Sequence, residues 1–107
     1  MIKIENALGE IEISENYIIE VASYAACRAF ILSYGESHKS GGVKVLKKGV
    51  RIRHDSGGLN IEMHIAVGYG INLSEMTKII INCVREDVEK GTELQVAKVN
   101  VFVDAIQ

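Results

Sequence analysis

The chain opens with apolar and charged residues in alternation, the pattern of β-strands that bury one face. Residues 2–6 and 10–13 alternate in this way on either side of a short Ala-Leu-Gly turn, which predicts a β-hairpin. Residues 50–54 and 59–67 flank an Asp-Ser-Gly-Gly turn and predict a second hairpin. The side chains expected on the buried face of the first hairpin are Ile2, Ile4, Ile11 and Ile13.

A four-residue turn at positions 55–58 would set the register of the second hairpin. Ile52 then faces Ile61 on the buried side, and Arg51 faces Glu62 on the other side. A last strand is predicted over residues 94–104, because small apolar and polar residues alternate there. Its inward side chains are expected to be Ala97, Val99, Val101 and Val103.

Two helices are predicted, and their apolar residues are distributed differently. The first spans Glu15–Tyr34, with Ser14 as its N-cap and Gly35 at its end. The second begins after an Asn72 cap, stops at Gly91 and carries one apolar stripe, as a surface helix should. The first is apolar around most of its circumference. Its core face is expected to hold Ile18, Val21, Ala22, Ala25, Ala29 and Leu32.

The predicted order of elements is β-β-α-β-β-α-β. A helix between two strands of one sheet gives a right-handed crossover and a parallel pair, whereas hairpins give antiparallel pairs, so the sheet is mixed. Alternating strands need one covered and one solvated sheet face, and both helices therefore pack on the same face. The sequence predicts one α+β domain over residues 1–107, built as a two-layer sandwich with an open, charged sheet face.

Two surfaces are candidates for contact with another molecule. The back of the first helix carries an apolar patch of Tyr24, Cys27, Phe30, Ile31 and Tyr34. Two interpretations of this patch stay open: it mediates self-association or partner docking, or residues 36–48 fold back and cover it. The open sheet face is either solvated or a second partner-binding surface. Its candidate contact residues are Arg51, Arg53, Glu62, His64 and Phe102.

Composition and charge narrow the classes of partner. The chain has 48% apolar and 24% charged residues and a net charge of −2, which provides no field to gather nucleic acid. The most apolar window, residues 17–34, contains Glu20 and Arg28, which argues against direct membrane insertion. Residues 1–14 lack the apolar stretch of a signal peptide. We therefore expect a cytoplasmic protein with no nucleic-acid partner.

No combination of residues indicates catalysis. Cys27 and Cys83 lie outside any metal or redox motif and are expected to be free thiols, and the three histidines lack the spacing of a metal site. A Gly-Tyr-Gly turn at residues 68–70 opens the second helix, but the third glycine of a dinucleotide fingerprint and a phosphate-loop lysine are missing. The sequence predicts no catalytic, cofactor-binding or metal site.

A second class of function rests on basic residues concentrated within positions 44–53. Clustered lysine and arginine are typical of small nucleic-acid-binding modules, so such a module is the alternative to a scaffold. The five residues are Lys44, Lys47, Lys48, Arg51 and Arg53.

Three phrases, in order, resemble the alkaline-shock-protein family of Gram-positive bacterial envelope-stress proteins. They are Gly-Glu-Ile-Glu-Ile-Ser at 9–14, Val-Gly-Tyr-Gly-Ile at 67–71 and Val-Ala-Lys-Val-Asn-Val-Phe-Val at 96–103. The resemblance covers essentially the whole chain, although the family's Pro-Gly turn after the first helix is absent. It implies a non-enzymatic cytoplasmic stress protein of cell-envelope homeostasis that forms homo-oligomers or scaffolds. It also implies membrane association through a related anchor protein, and it brings no catalytic or cofactor residues.

Overall fold

A computed structural model describes residues 2–34 and 42–106, in which six strands and two helices follow the predicted order with one short strand added. Gly35, the predicted end of the first helix, and residues 36–41 of the polar connection lie outside the described residues. A 3₁₀ turn, Lys47–Gly49, separates the added strand from the second hairpin. The elements are β1 (Ile2–Asn6), β2 (Gly9–Ile13), α1 (Glu15–Tyr34), β3 (Val43–Val45), β4 (Arg51–Asp55), β5 (Gly58–Val67), α2 (Leu73–Thr92) and β6 (Val96–Ile106).

Strand β5 forms the centre of the main sheet. β3 and β4 follow one another along one of its edges, both antiparallel to it, and β6 runs parallel along the other edge. The predicted register of the second hairpin is confirmed, since Ile52 pairs with Ile61 and Arg51 with Glu62. The parallel pairing of β5 with β6, which α2 connects, is also confirmed.

The N-terminal hairpin stands apart from this sheet. Among the described strands β1 pairs only with β2, so the chain forms a four-stranded mixed sheet and a separate two-stranded one. Ile2 is buried, but Ile11 is 53% exposed and Leu8 at the tip is 99% exposed, so the predicted inward position of Ile11 is wrong. Alternation determines which side chains share a face, but not whether another element covers that face.

Both helices cover the same face of the main sheet, as predicted. Along β5 buried side chains alternate with partly exposed ones up to Ile65, because one face of the strand is covered, and the last residues, Ala66 and Val67, are both buried. α1 and α2 lie side by side, and the guanidinium of Arg28 donates two hydrogen bonds to the carboxylate of Asp87, at 3.2 and 2.9 Å. α1 approaches its neighbours closely because four alanines form most of its buried face. They are Ala22, Ala25, Ala26 and Ala29.

Strand β6 departs from regular pairing at two points. Its register against β5 shifts between Leu59 and Asn60 and again between Ile65 and Ala66. The first shift leaves Ala97 without a partner on β5 and exposed, so its predicted inward position is wrong. The later valines of the strand do face the core. Val99 is buried, and Val101 and Val103 are half-buried.

Both predicted N-caps are confirmed. The Ser14 hydroxyl accepts a hydrogen bond from the Tyr17 N–H at 3.1 Å, and the Asn72 side chain accepts one from the Glu75 N–H at 3.1 Å. These bonds satisfy backbone donors that the first turn of each helix would otherwise leave unpaired.

The end of α2 differs from the prediction. The helix continues through Gly91 to Thr92, and Glu93 then adopts a left-handed conformation with φ of 60°. Gly91 has another role, because a Cβ added there would lie 3.0 Å from the Tyr17 hydroxyl oxygen. The glycine lets the side chain of α1 approach the last turn of α2.

Candidate functional site

The apolar patch predicted on the back of α1 divides into a covered and an exposed part. Phe30 and Tyr34 belong to the covered part, where their rings stack with centroids 5.3 Å apart. The Tyr34 hydroxyl accepts a hydrogen bond from the Asn72 N–H at 3.2 Å, and a Cβ added at Gly42 would lie 3.4 Å from the Phe30 ring. Both side chains are half-buried and pack against the core.

The exposed part of the patch follows a seven-residue spacing along α1. Tyr17, Tyr24 and Ile31 are 46%, 71% and 43% exposed, and the exposed Cys27 lies on the same side of the helix between the last two. Residues seven apart fall almost in line on a helix. We call these four residues, Tyr17, Tyr24, Cys27 and Ile31, the α1 seam. Tyr17 was not among the predicted contact residues, although its spacing from Tyr24 could have revealed it.

Helix α2 shows how unusual this exposure is within the chain. Its only exposed large apolar side chain is Leu73, at 37%, in the first turn. α1 exposes all four residues of the seam and also Leu32, at 65%, so the predicted core position of Leu32 is wrong. Isolated exposed apolar residues are normal on a protein surface, but contiguous ones mark contact sites. The seam is therefore the strongest apolar candidate surface.

The open sheet face gathers the other predicted contact residues in cross-strand rows. Arg51 of β4, Glu62 of β5 and Asn100 of β6 form one row, and the Arg51 Nε lies 3.9 Å from a Glu62 carboxylate oxygen. Arg53, Asn60 and Lys98 form the next row. This face is thus polar and of mixed charge.

His64 and Phe102 lie opposite each other on the same face. Their rings stack with centroids 4.9 Å apart, and Phe102 is 45% exposed. Nδ1 of His64 lies 3.0 Å from both carboxylate oxygens of Asp104, and Nε2 lies 3.4 Å from Glu62. The two carboxylates contact opposite nitrogens of the ring, so they do not converge on one point. Within the part of the chain that the structure describes, no group of acidic, histidine or cysteine side chains could hold a metal ion.

The hydrogen bond to Asp104 raises the pKa of His64 above its ordinary value of 6.5, and the hydrogen bond to Glu62 makes a smaller contribution in the same direction. A raised pKa in the folded state means that folding favours the protonated ring. Its stabilisation is therefore complete below pH 6.5 and disappears as the pH rises through the folded-state pKa.

Replacing Asp104 by asparagine should lower the pKa of His64, because the strongest hydrogen bond to a charged acceptor is lost. An NMR titration of the His64 ring protons measures this value in the native chain and in the variant. The native chain should be more stable than Asp104→Asn at about pH 5, and this difference in the free energy of unfolding should shrink as the pH rises to about 8. Equal His64 titration curves in the two proteins would contradict this account.

The two cysteines occupy different environments. Cys83 is buried beside the Arg28–Asp87 pair, and burial raises the pKa of its thiol. Cys27 is exposed, with its sulfur 3.9 Å from the Val43 carbonyl oxygen. Both are free, as predicted.

The basic residues of positions 44–53 do not form one face. Lys47 turns toward α1, where its ammonium lies 3.0 Å from the Glu20 carboxylate. Arg51 and Arg53 lie on the open sheet face instead, beside the acidic Glu62. One backbone donor of the Gly-Tyr-Gly turn is occupied, since the Gly68 N–H donates to the Gly42 carbonyl oxygen at 2.8 Å.

Comparison with known proteins identifies the family. The model of the alkaline shock protein 23 family, described as having a cell envelope-related function, matches residues 3–107. The chain belongs to this family. It is similar to YloU, an uncharacterised protein of Bacillus subtilis strain 168, with 29% identity over 114 residues that cover 99% of this chain and 95% of YloU. No solved structure shows a significant match to this family member. Neither described helix is long and apolar enough to cross a membrane.

Proposed function

We propose that this alkaline shock protein family member acts by contact rather than by catalysis, as a self-associating scaffold in its cell envelope-related role. The α1 seam is its contact surface. The observation that carries the proposal is the exposure of Tyr24 and Ile31, 71% and 43%, on a helix whose opposite side is fully buried. Burying such side chains contributes about 1.5–3 kcal/mol each, so this surface gains by finding a partner.

The spacing of the α1 seam supports a second copy of the chain as the partner. A seven-residue apolar repeat is the pattern by which helices pair along a seam. In an antiparallel pair centred on Tyr24, Tyr17 of one copy lies beside Ile31 of the other, and the two Tyr24 rings meet at the two-fold axis. Such a contact is self-complementary, as the interfaces of symmetric dimers are.

The cellular part of the proposal follows from the family and the resemblance noted above. We propose that the assembly works in the cytoplasm, in the response to envelope stress. A related, membrane-anchored protein is the proposed link to the membrane, and it would use the same α1 seam or the open sheet face around Arg51, Arg53, Glu62, His64 and Phe102. Pull-down from the native cell identifies that partner.

Replacing both Tyr24 and Ile31 by glutamate should abolish association through the α1 seam, because the two carboxylates at position 24 would meet at the two-fold axis and each carboxylate at position 31 would be buried against Tyr17 of the other copy. Light scattering coupled to size exclusion measures the mass of the native chain and of the variant. We expect the native chain to have a larger mass than the variant, in which only contacts outside the α1 seam could join the 11.8 kDa copies. Both positions are exposed, so the variant should fold.

Tyr69→Glu is the matched control. Tyr69 is 80% exposed and lies in the turn before α2, outside the α1 seam. This variant should keep the native mass. If the variant with both Tyr24 and Ile31 replaced had the same mass as the native chain and as Tyr69→Glu, the contact surface would lie outside the α1 seam. Phe30→Glu is unsuitable here, because Phe30 packs against the core and its replacement would weaken the fold.

A further inference from the structure

Strand β6 offers a second surface of a different kind, an unpaired strand edge. It has 11 residues and pairs on one side with β5, while no described strand pairs with its other side. An exposed edge presents backbone N–H and C=O groups in a row, which makes it a template for another strand. Native proteins usually shorten or cover such an edge.

The ends of this edge are modified, but its middle is regular. The Val96 N–H donates to the Glu89 carboxylate at 2.9 Å, which satisfies the first donor of the strand. The two register shifts against β5 fall at Ala97 and at Asp104, so residues 98–103 between them pair without interruption. This central segment is the part available to a partner strand.

The sequence of the segment is complementary to itself in one antiparallel register. With Val101 on the two-fold axis, Val101 faces its own copy and Val99 faces Val103 on the helix-covered side. On the open side, Lys98 faces Asp104 of the second copy, the residue at the second register shift, whose carboxylate also contacts His64 of its own chain. Opposite charges placed directly across two strands stabilise their pairing, and valines pack well there. Val101 and Val103 are half-buried in one copy, so a second copy would cover them further.

We infer that two copies of this chain pair through β6 in this register, which joins their main sheets into one continuous sheet. The occupant is a second copy, because the charges and valines match their own reversed sequence. β6 lies at the edge of the main sheet opposite β3, the strand next to α1. Together with the α1 seam, and resting on that proposed function, the β6 contact would link copies into an open chain rather than a closed dimer.

Cross-linking through Val101→Cys tests the register. The variant is made with Cys27→Ser, so that the remaining native thiol is the buried Cys83, and with Tyr24→Glu and Ile31→Glu, so that the α1 seam cannot contribute. Opposed positions in an antiparallel pair lie close enough for a disulfide. We expect a disulfide-linked dimer under mild oxidation.

Val103→Cys in the same background is the matched control. Its two thiols would lie on residues about 13 Å apart along the strands, so it should cross-link about ten-fold more slowly. A mixture of Val99→Cys and Val103→Cys chains should form mixed dimers, since these positions face each other. Equal cross-linking by Val101→Cys and Val103→Cys, or none by Val101→Cys, overturns the β6 proposal. Either result leaves the α1 seam to be judged by the mass of its own variants.

Discussion

Gly58→Ala should lower the free energy of unfolding by about 2–4 kcal/mol. Gly58 begins β5 with φ of +117°, a conformation that side chains other than glycine rarely adopt. An added Cβ would lie 2.5 Å from the Gln95 carbonyl oxygen, and backbone cannot swing away as a side chain can. The same carbonyl accepts a hydrogen bond from the Leu59 N–H at 2.8 Å. The substitution therefore disrupts the start of the parallel β5–β6 pairing.

Gly57→Ala provides the neighbouring control. An added Cβ at Gly57 would meet only a carboxylate oxygen of Asp55, at 3.4 Å. Urea denaturation followed by far-ultraviolet circular dichroism measures both variants, in the Tyr24→Glu and Ile31→Glu background so that association through the α1 seam does not contribute to stability. Equal stability of the Gly57 and Gly58 variants would show that the close approach to Gln95 does not restrict this position.

Ile80→Ala should destabilise the fold by about 2–5 kcal/mol, through lost transfer free energy and the cavity left behind. Ile80 is fully buried on α2, at the interface with the sheet and α1. The next residue, Ile81, is only half-buried, so Ile81→Ala removes the same atoms with a smaller effect. The same urea measurement compares them. A loss of stability at Ile81 as large as at Ile80 would contradict the difference in burial between these two positions of α2.

The features of the fold that depend on local pattern were predictable from the sequence. The register of β4 against β5 follows from a short turn between two alternating segments, so Arg51 and Glu62 could be paired in advance. Ser14 and Asn72 were recognisable as caps because capping depends on the adjacent turn.

The features that depend on distant neighbours were not predictable. The three-residue strand β3 is too short to show a period, yet Gly42, the residue just before it, lies against Phe30 on α1. A helical wheel gives the direction of a side chain but not how far a neighbour extends, which is why Leu32 is exposed against expectation. The prediction that Ile11 of the N-terminal hairpin faces the core fails for the same reason.

The candidate surfaces were partly predictable. Tyr24, Cys27 and Ile31 lie together on the exposed side of α1, and His64 and Phe102 lie together on the open sheet face. The contact between His64 and Asp104 was missed, since it depends on the register of a parallel pair separated by a whole helix. Sequence periodicity alone does not determine that register.

The central claim is that this chain associates with itself, and its mass in solution tests that claim most directly. Sedimentation of the unaltered chain from about 1 µM to about 500 µM would detect even weak pairing. The account predicts a mass that exceeds 11.8 kDa and grows with concentration. A constant mass of one copy across that range would contradict it.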